Sequence, residues 1–279
     1  MSPLGLLPAA AVLSLAIPAN INAQSFEVTN AQKEIAGSST TVSGGGSSNN
    51  FGSPSLGDFA VFDVSDTNGN DYADLKVTYA ADNGIVGNNI MIARTVDSQG
   101  LVDTGTISVL IEAGSGGGTA DLRFDWYTPG SFDGGLEQSG ASIINTGQIN
   151  YTTFDIDFRQ EVSILESETA SYMVNGTTEL VDTAAGGSIF FRDGGADSSF
   201  DDPETAFAFL SRSGTQTKTI TMGKQSSGGN ALFMFEFRDP SDNVTFTNPQ
   251  TTVVPEPRSF ALIAGVLGLT SVVLRRRRA

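Results

Sequence analysis

The chain has 279 residues, a formal net charge of −16, and neither cysteine nor histidine. Without cysteine no disulfide can staple the fold, so packing or bound metal must hold it. Without histidine, Ser-His-Asp and Cys-His nucleophilic machinery is excluded, as are the usual histidine-ligated zinc and iron sites; carboxylate chemistry and oxygen-ligated metals are left.

Residues 4–19 are rich in Leu, Ala, Val and Ile and carry no charge, and Asn20-Ile21-Asn22-Ala23-Gln24 follows. This pattern predicts a secretory signal helix over residues 1–23, cut after Ala23. Ile21 is large for its place before the cut, and no Lys or Arg precedes the apolar core. Either the α-amino group alone supplies the positive end, or the start lies upstream of Met1. Residues 24–56 then read as an N-terminal edge strand, Phe26 to Thr29, and a Gly/Ser-rich loop around Gly44-Gly45-Gly46.

From Phe59 onward, short alternating or aromatic-rich runs recur between Gly, Asn and Asp clusters. Phe59–Val64, Leu75–Tyr79, Thr106–Ile111, Ala120–Trp126, Tyr151–Arg159, Ile189–Phe191, Ala206–Leu210, Lys218–Met222 and Leu232–Phe237 form the series. Period-2 alternation predicts strands with one buried face, and no sustained helical period competes with it. The expected fold is all-β, an antiparallel β-sandwich or jelly roll over residues 57–250, with phenylalanine dominating the core. No period of 20 to 50 residues stands out, which argues against a propeller or solenoid.

Three stretches carry candidate chemistry. In Asp66-Thr67-Asn68-Gly69-Asn70-Asp71-Tyr72-Ala73-Asp74, side-chain oxygens of Asp66, Asn68, Asn70 and Asp74 and the Tyr72 carbonyl suit a Ca²⁺ shell. The loop resembles the calcium loops of FG-GAP and dockerin-like modules, with Asp71 in place of the turn glycine and Val77 where an EF-hand has its bidentate Glu. A plain Asn/Gly hairpin turn explains the same residues. The second stretch, Asp193 to Glu204, is acidic and reads as a cation site or a solvated loop. In the third, Trp126 and Tyr127 beside Pro129-Gly130 read as a sugar-stacking platform or as core aromatics at a strand end. Among carboxylates, Glu112, Asp125, Asp155, Asp157 and Glu236 lie on expected strands, but no spacing singles out a hydrolytic pair. Asp155 and Asp157 are expected on one solvent face.

The tail is the most specific stretch. Val254-Pro255-Glu256-Pro257 is followed by an uncharged run from Ser259 to Leu274 and then Arg275-Arg276-Arg277-Arg278. As a helix, 259–274 rises about 24 Å, slightly less than the ~30 Å hydrocarbon core, and snorkelling arginines make up the difference. The arginine cluster holds the end in the cytoplasm and leaves the body outside. The prolines keep the segment before the helix extended, as a processing protease requires. Proline-Glu-proline, short apolar helix and terminal arginines in this order resemble the PEP-CTERM sorting signal, over residues 254–279. That resemblance implies processing by an exosortase, a membrane-embedded cysteine protease of Gram-negative bacteria that make exopolysaccharide.

Setting aside Arg258, Arg275–Arg278 and Glu256, the exported body carries 30 acids against 10 bases, a net of −20. Such a surface repels nucleic acid. It favours association with divalent cations, and it would repel an anionic polysaccharide unless metal ions bridged the two. The expectation is therefore a non-enzymatic cell-envelope or extracellular-matrix protein. It would be held in the inner membrane until processed, with a structural or adhesive role beside exopolysaccharide. A calcium-dependent carbohydrate-binding module and a carboxylate-dependent polysaccharide hydrolase or lyase are the alternatives.

Overall fold

Between Gly118 and Tyr127 alternate side chains turn opposite ways. Ala120, Leu122, Phe124 and Trp126 are buried, whereas Thr119, Asp121 and Arg123 face outward. The same parity puts Ile220 and Met222 in the core and Thr219 and Thr221 outside. Repetition of this pattern builds the molecule. The computed structural model describes residues 25–35, 54–96, 102–157, 159–193, 203–226, 228–238 and 244–255. The signal segment 1–23, most of the Gly/Ser-rich loop and everything from Glu256 onward, including the expected helix 259–274, lie outside the described residues.

In chain order the strands are β1 (Phe26–Lys33), β2 (Phe59–Asp66), β3 (Asp71–Asn83), β4 (Ile85–Val96), β5 (Val102–Ala113), β6 (Gly118–Tyr127), β7 (Phe132–Asp133) and β8 (Leu136–Glu137). They continue with β9 (Asn150–Phe154), β10 (Gln160–Leu165), β11 (Thr169–Val174), β12 (Leu180–Ala185), β13 (Ser188–Asp193), β14 (Phe207–Ser211), β15 (Thr217–Lys224), β16 (Gly229–Glu236) and β17 (Gln250–Val253). Among the described residues the two helical turns, Glu166–Glu168 and Pro203–Thr205, are 3₁₀.

Eight strands form one sheet in the order β1-β2-β3-β6-β15-β10-β13-β12, and seven form another, β17-β11-β14-β9-β16-β5-β4. The registered pairings between described strands are antiparallel, as expected for a sandwich. Aromatic rings zip the sheets together. Phe191 of β13 stacks on Phe207 of β14 at 3.7 Å, and Phe124 of β6 meets Phe235 of β16 at 5.6 Å. Trp126 meets Phe237 edge-on at 5.3 Å. Such ring pairs each contribute about 0.5–1.5 kcal/mol beyond the area they bury.

The N-terminal segment belongs to this body. β1 runs to Lys33, longer than the expected Phe26–Thr29, and pairs along β2. Phe26 donates to the Phe237 carbonyl at 2.8 Å, and Ile35 exchanges two hydrogen bonds with Ile92 of β4. These isolated bridges tie the β1 edge of the larger sheet to the smaller one. At the other end β17 carries the body to Val253, just beyond residue 250.

One expected strand is shorter than its alternation implies. The alternation of Tyr151 to Arg159 predicts one continuous strand, but β9 ends at Phe154 because Asp155 takes φ +64. That left-handed backbone is uncommon outside glycine, asparagine and aspartate and breaks the ladder. Asp155 and Asp157 are consequently buried in the β9–β10 connection and not on a solvent face.

Candidate functional site

The Asp66 loop closes the β2–β3 hairpin. One Asp66 carboxylate oxygen accepts from the Asn68 and Asn70 amides, both at 2.9 Å, and the Asn70 side chain donates to both carboxylate oxygens. These hydrogen bonds, led by Asn70, hold the Asp66 carboxyl below its ordinary range. Asp74 is elsewhere engaged. It is buried and accepts from the amides of Phe132 at 2.8 Å and Gly130 at 3.4 Å, pinning the turn after β6. Burial pushes its carboxyl up, and those amides pull it back. The structure thus brings Asp66 and Asn70 together through their own hydrogen bonds and directs Asp74 to a different turn. Tyr72 lies on β3, its ring 4.2 Å from that of Phe26.

Trp126 is not a surface platform. It is 1% exposed, packed against Phe26 and Phe237, and donates through Nε1 to the Tyr151 hydroxyl at 3.0 Å. Its parity with Leu122 and Phe124 turns it inward, so it has no face for a sugar. Tyr127 points the other way but is covered by Phe132, edge-on at 5.1 Å.

The carboxylates considered for hydrolysis are engaged separately. Glu112 accepts from Asn89, Asp125 from Arg123 and Thr217, and Asp157 from Gln160. Asp155 and Glu236 are buried. Of the acidic stretch 193–204 only the ends are described: Asp193 accepts from the Arg159 amide and Glu204 from the Thr177 hydroxyl. The rest lies outside the described residues.

Two features emerge that the sequence did not single out. The first is the junction with the tail. The Val254 amide donates to the Ala170 carbonyl at 2.9 Å. Arg212, just past β14, donates to the carbonyls of Val254 at 2.8 Å and Pro255 at 3.1 Å while also reaching Glu166 at 3.2 Å. Beneath it Lys218, 3% exposed, donates to the Glu168 carbonyl, and the Glu168 carboxylate accepts from the Thr219 amide. Burial pulls Lys218 down to about 7, against the opposing pull of Glu168. Burial likewise raises Glu168 above the ordinary carboxylate range.

The second is a cleft of about 530 Å³ at one end of the larger sheet. Register aligns Asn83, Thr119, Gly223, Glu161 and Arg192 as successive cross-strand partners on β3, β6, β15, β10 and β13. Gly84, Gly116–Gly118, Lys224 and Gln225 complete the lining. Its floor is bare backbone. A Cβ on Gly223 would lie 2.0 Å from the Gly118 carbonyl oxygen, and one on Gly118 2.4 Å from that of Gly84. Glycine is required for so close an approach. Arg192 Nε is ion-paired to Glu161, and its guanidinium stacks over Phe190 at 5.0 Å. Burial holds Lys224 below the ordinary lysine value, while the Asp157 charge pulls it up.

No family model matches the chain, and no curated protein matches it. Among solved structures it is similar to the N-terminal domain of the Streptococcus gordonii adhesin Sgo0707, at 11% identity and a TM-score of 0.40; the match covers 64% of this chain and 47% of that one, so the chain spans about half the length of that structure.

Proposed function

We propose that the chain is an exported, exosortase-processed protein of the cell envelope or extracellular matrix, with a structural or adhesive, non-enzymatic role beside exopolysaccharide. Residues 259–274 hold it in the inner membrane until the tail is removed. The observation that carries this reading is the junction at Val254–Pro255. Val254 and Pro255, the last described residues, are clasped by Ala170 and Arg212 and stand immediately before Glu256-Pro257. A cut after Pro257 leaves every described strand of both sheets in place. The separate engagement of Glu112, Asp125 and Asp157 supports a displayed body over a carboxylate-dependent hydrolase.

The test is the intact mass of the protein taken from the surface of a producing cell, with and without its exosortase. The expected product with exosortase lacks the residues after about Pro257, and without it the chain stays in the membrane fraction at full mass. A chain ending at Ala279 from exosortase-competent cells would overturn the reading.

A further inference from the structure

One row of contacts crosses the end of the smaller sheet from one exit of the chain to the other. The Val254 amide donates to the Ala170 carbonyl, Thr169 is registered with Ser211, and the Ser211 amide donates to the Ile149 carbonyl at 2.9 Å. The Asn150 side chain donates to the Arg238 carbonyl at 2.6 Å, and the Phe26 amide to the neighbouring Phe237 carbonyl at 2.8 Å. Phe26 and Val254 therefore lie at the same end of the sandwich, five strand gaps or about 24 Å apart. Both are buried in the main core, so each exit is fixed to the body. Beyond Pro255, only Glu256, Pro257 and Arg258 precede the apolar run that begins at Ser259. Fully extended, the chain from Pro255 to Ser259 spans at most ~14 Å. The headgroup layer takes up about 5–7 Å of that on either side of a bilayer.

We infer that, before processing, the body stands end-on at the membrane, with the row from Val254 to Phe26 against the phospholipid headgroups and the glycine-floored cleft facing away. The inference rests on the reading of residues 259–274 as the anchor. As a helix of about 24 Å in a ~30 Å hydrocarbon core, that run draws Ser259 to the boundary of the core, which leaves about 7–9 Å between Pro255 and the headgroups, less than the ~10 Å between two packed sheets. On the body's side the clasp of Val254 and Pro255 by Ala170 and Arg212 leaves no slack. The expected signal segment ends at Ala23, with only Gln24 and Ser25 before Phe26, so it joins the same end of the body. The closeness is imposed by the tether and not by attraction. Loops at this end carry Asp66, Asp71 and Glu166, while Arg212 and Arg238 are already engaged, so anionic headgroups gain nothing there. β6 runs from Gly118 at the cleft to Tyr127 at the junction end, where Trp126 meets Phe26, and sets the far end about 30 Å farther out. Loss of the tail then releases the body from the lipid surface.

The chain has no cysteine, so a single one can be placed at either end. Ser213, in the exposed turn just past Arg212, and Ser115, in the exposed turn between β5 and β6, are replaced one at a time by cysteine and given a fluorophore. The membrane form of the protein, taken from cells without exosortase, is placed in phosphatidylcholine vesicles that carry a nitroxide quencher on their headgroups. The label of Ser213→Cys should be quenched several-fold more strongly than that of Ser115→Cys. A long flexible Gly/Ser linker inserted between Pro255 and Glu256 should lower the Ser213→Cys quenching to the level of the far end. Equal quenching of the two labels, stronger quenching of the Ser115→Cys label, or near-end quenching that survives the linker would each overturn the inference. Protein that fails to float with the vesicles would overturn the anchor reading and this inference together, whereas flotation with equal quenching overturns the inference alone.

Discussion

Lys218 makes stability depend on pH in a predictable direction. Its ammonium lies in the core beneath the tail junction, 3% exposed, and burial lowers its folded value from 10.5 to about 7, with Glu168 opposing and Arg212 reinforcing the shift. For a lysine with a lowered folded value, the unfolded chain binds the extra proton between the two values. Stability therefore rises with pH across that window and is flat below it. One proton of difference corresponds to about 1.4 kcal/mol per pH unit, so stability should rise by roughly 2–3 kcal/mol between pH 7.5 and 9.5. Lys224, also lowered by burial, adds to the slope with the same sign. Glu168, held above the ordinary carboxylate range, acts at the acid end, and a window starting at pH 7.5 avoids it. All five tyrosines are raised by burial, so from about pH 9 their ionisation in the unfolded chain begins to oppose this rise, equally in the wild type and in a Lys218 variant. The assay is urea denaturation at half-unit pH steps, on wild type and on Lys218→Met. The variant's slope should be shallower by up to about 1.4 kcal/mol per pH unit, leaving the Lys224 contribution. Parallel curves for the two proteins would refute the argument, because Lys218 would then titrate alike folded and unfolded.

Other substitutions test the remaining structural claims. Tyr151→Phe removes the partner of the Trp126 indole N–H inside the core, and an unsatisfied buried donor should cost about 1–3 kcal/mol in chemical denaturation. A value near zero would mean that the indole finds another acceptor. Asp66→Ala should lower the melting temperature by the same amount in millimolar calcium and in chelator, because its carboxylate serves as the cap of a hairpin turn. If calcium raises the melting temperature of the wild type and not of the variant, Asp66 is a calcium ligand and that account of the loop fails.

The strands that could be read from sequence are those with one wet face. Ala120–Trp126 and Lys218–Met222 alternate because their outer side chains, Thr119, Asp121, Thr219 and Thr221, meet water or each other. β4 gave no such signal. Ile90 and Ile92 face the central core, but Met91 and Ala93 pack with Leu110 in a second cluster on the opposite face, so both sides are apolar and the period vanishes. β12 hid for the converse reason, since all but Leu180 of its side chains are exposed. Trp126, left open between a sugar platform and a core aromatic, shares the parity of the buried Leu122 and Phe124, and that outweighs its closeness to Tyr127 and Pro129.

The cleft was not legible, because register is a property of pairs of strands. Asn83, Thr119, Glu161, Arg192 and Gly223 span more than half of the body in sequence and converge only when five ladders lock. The local signals were glycines within strands, Gly118 and Gly223, where close backbone approach is the usual cause.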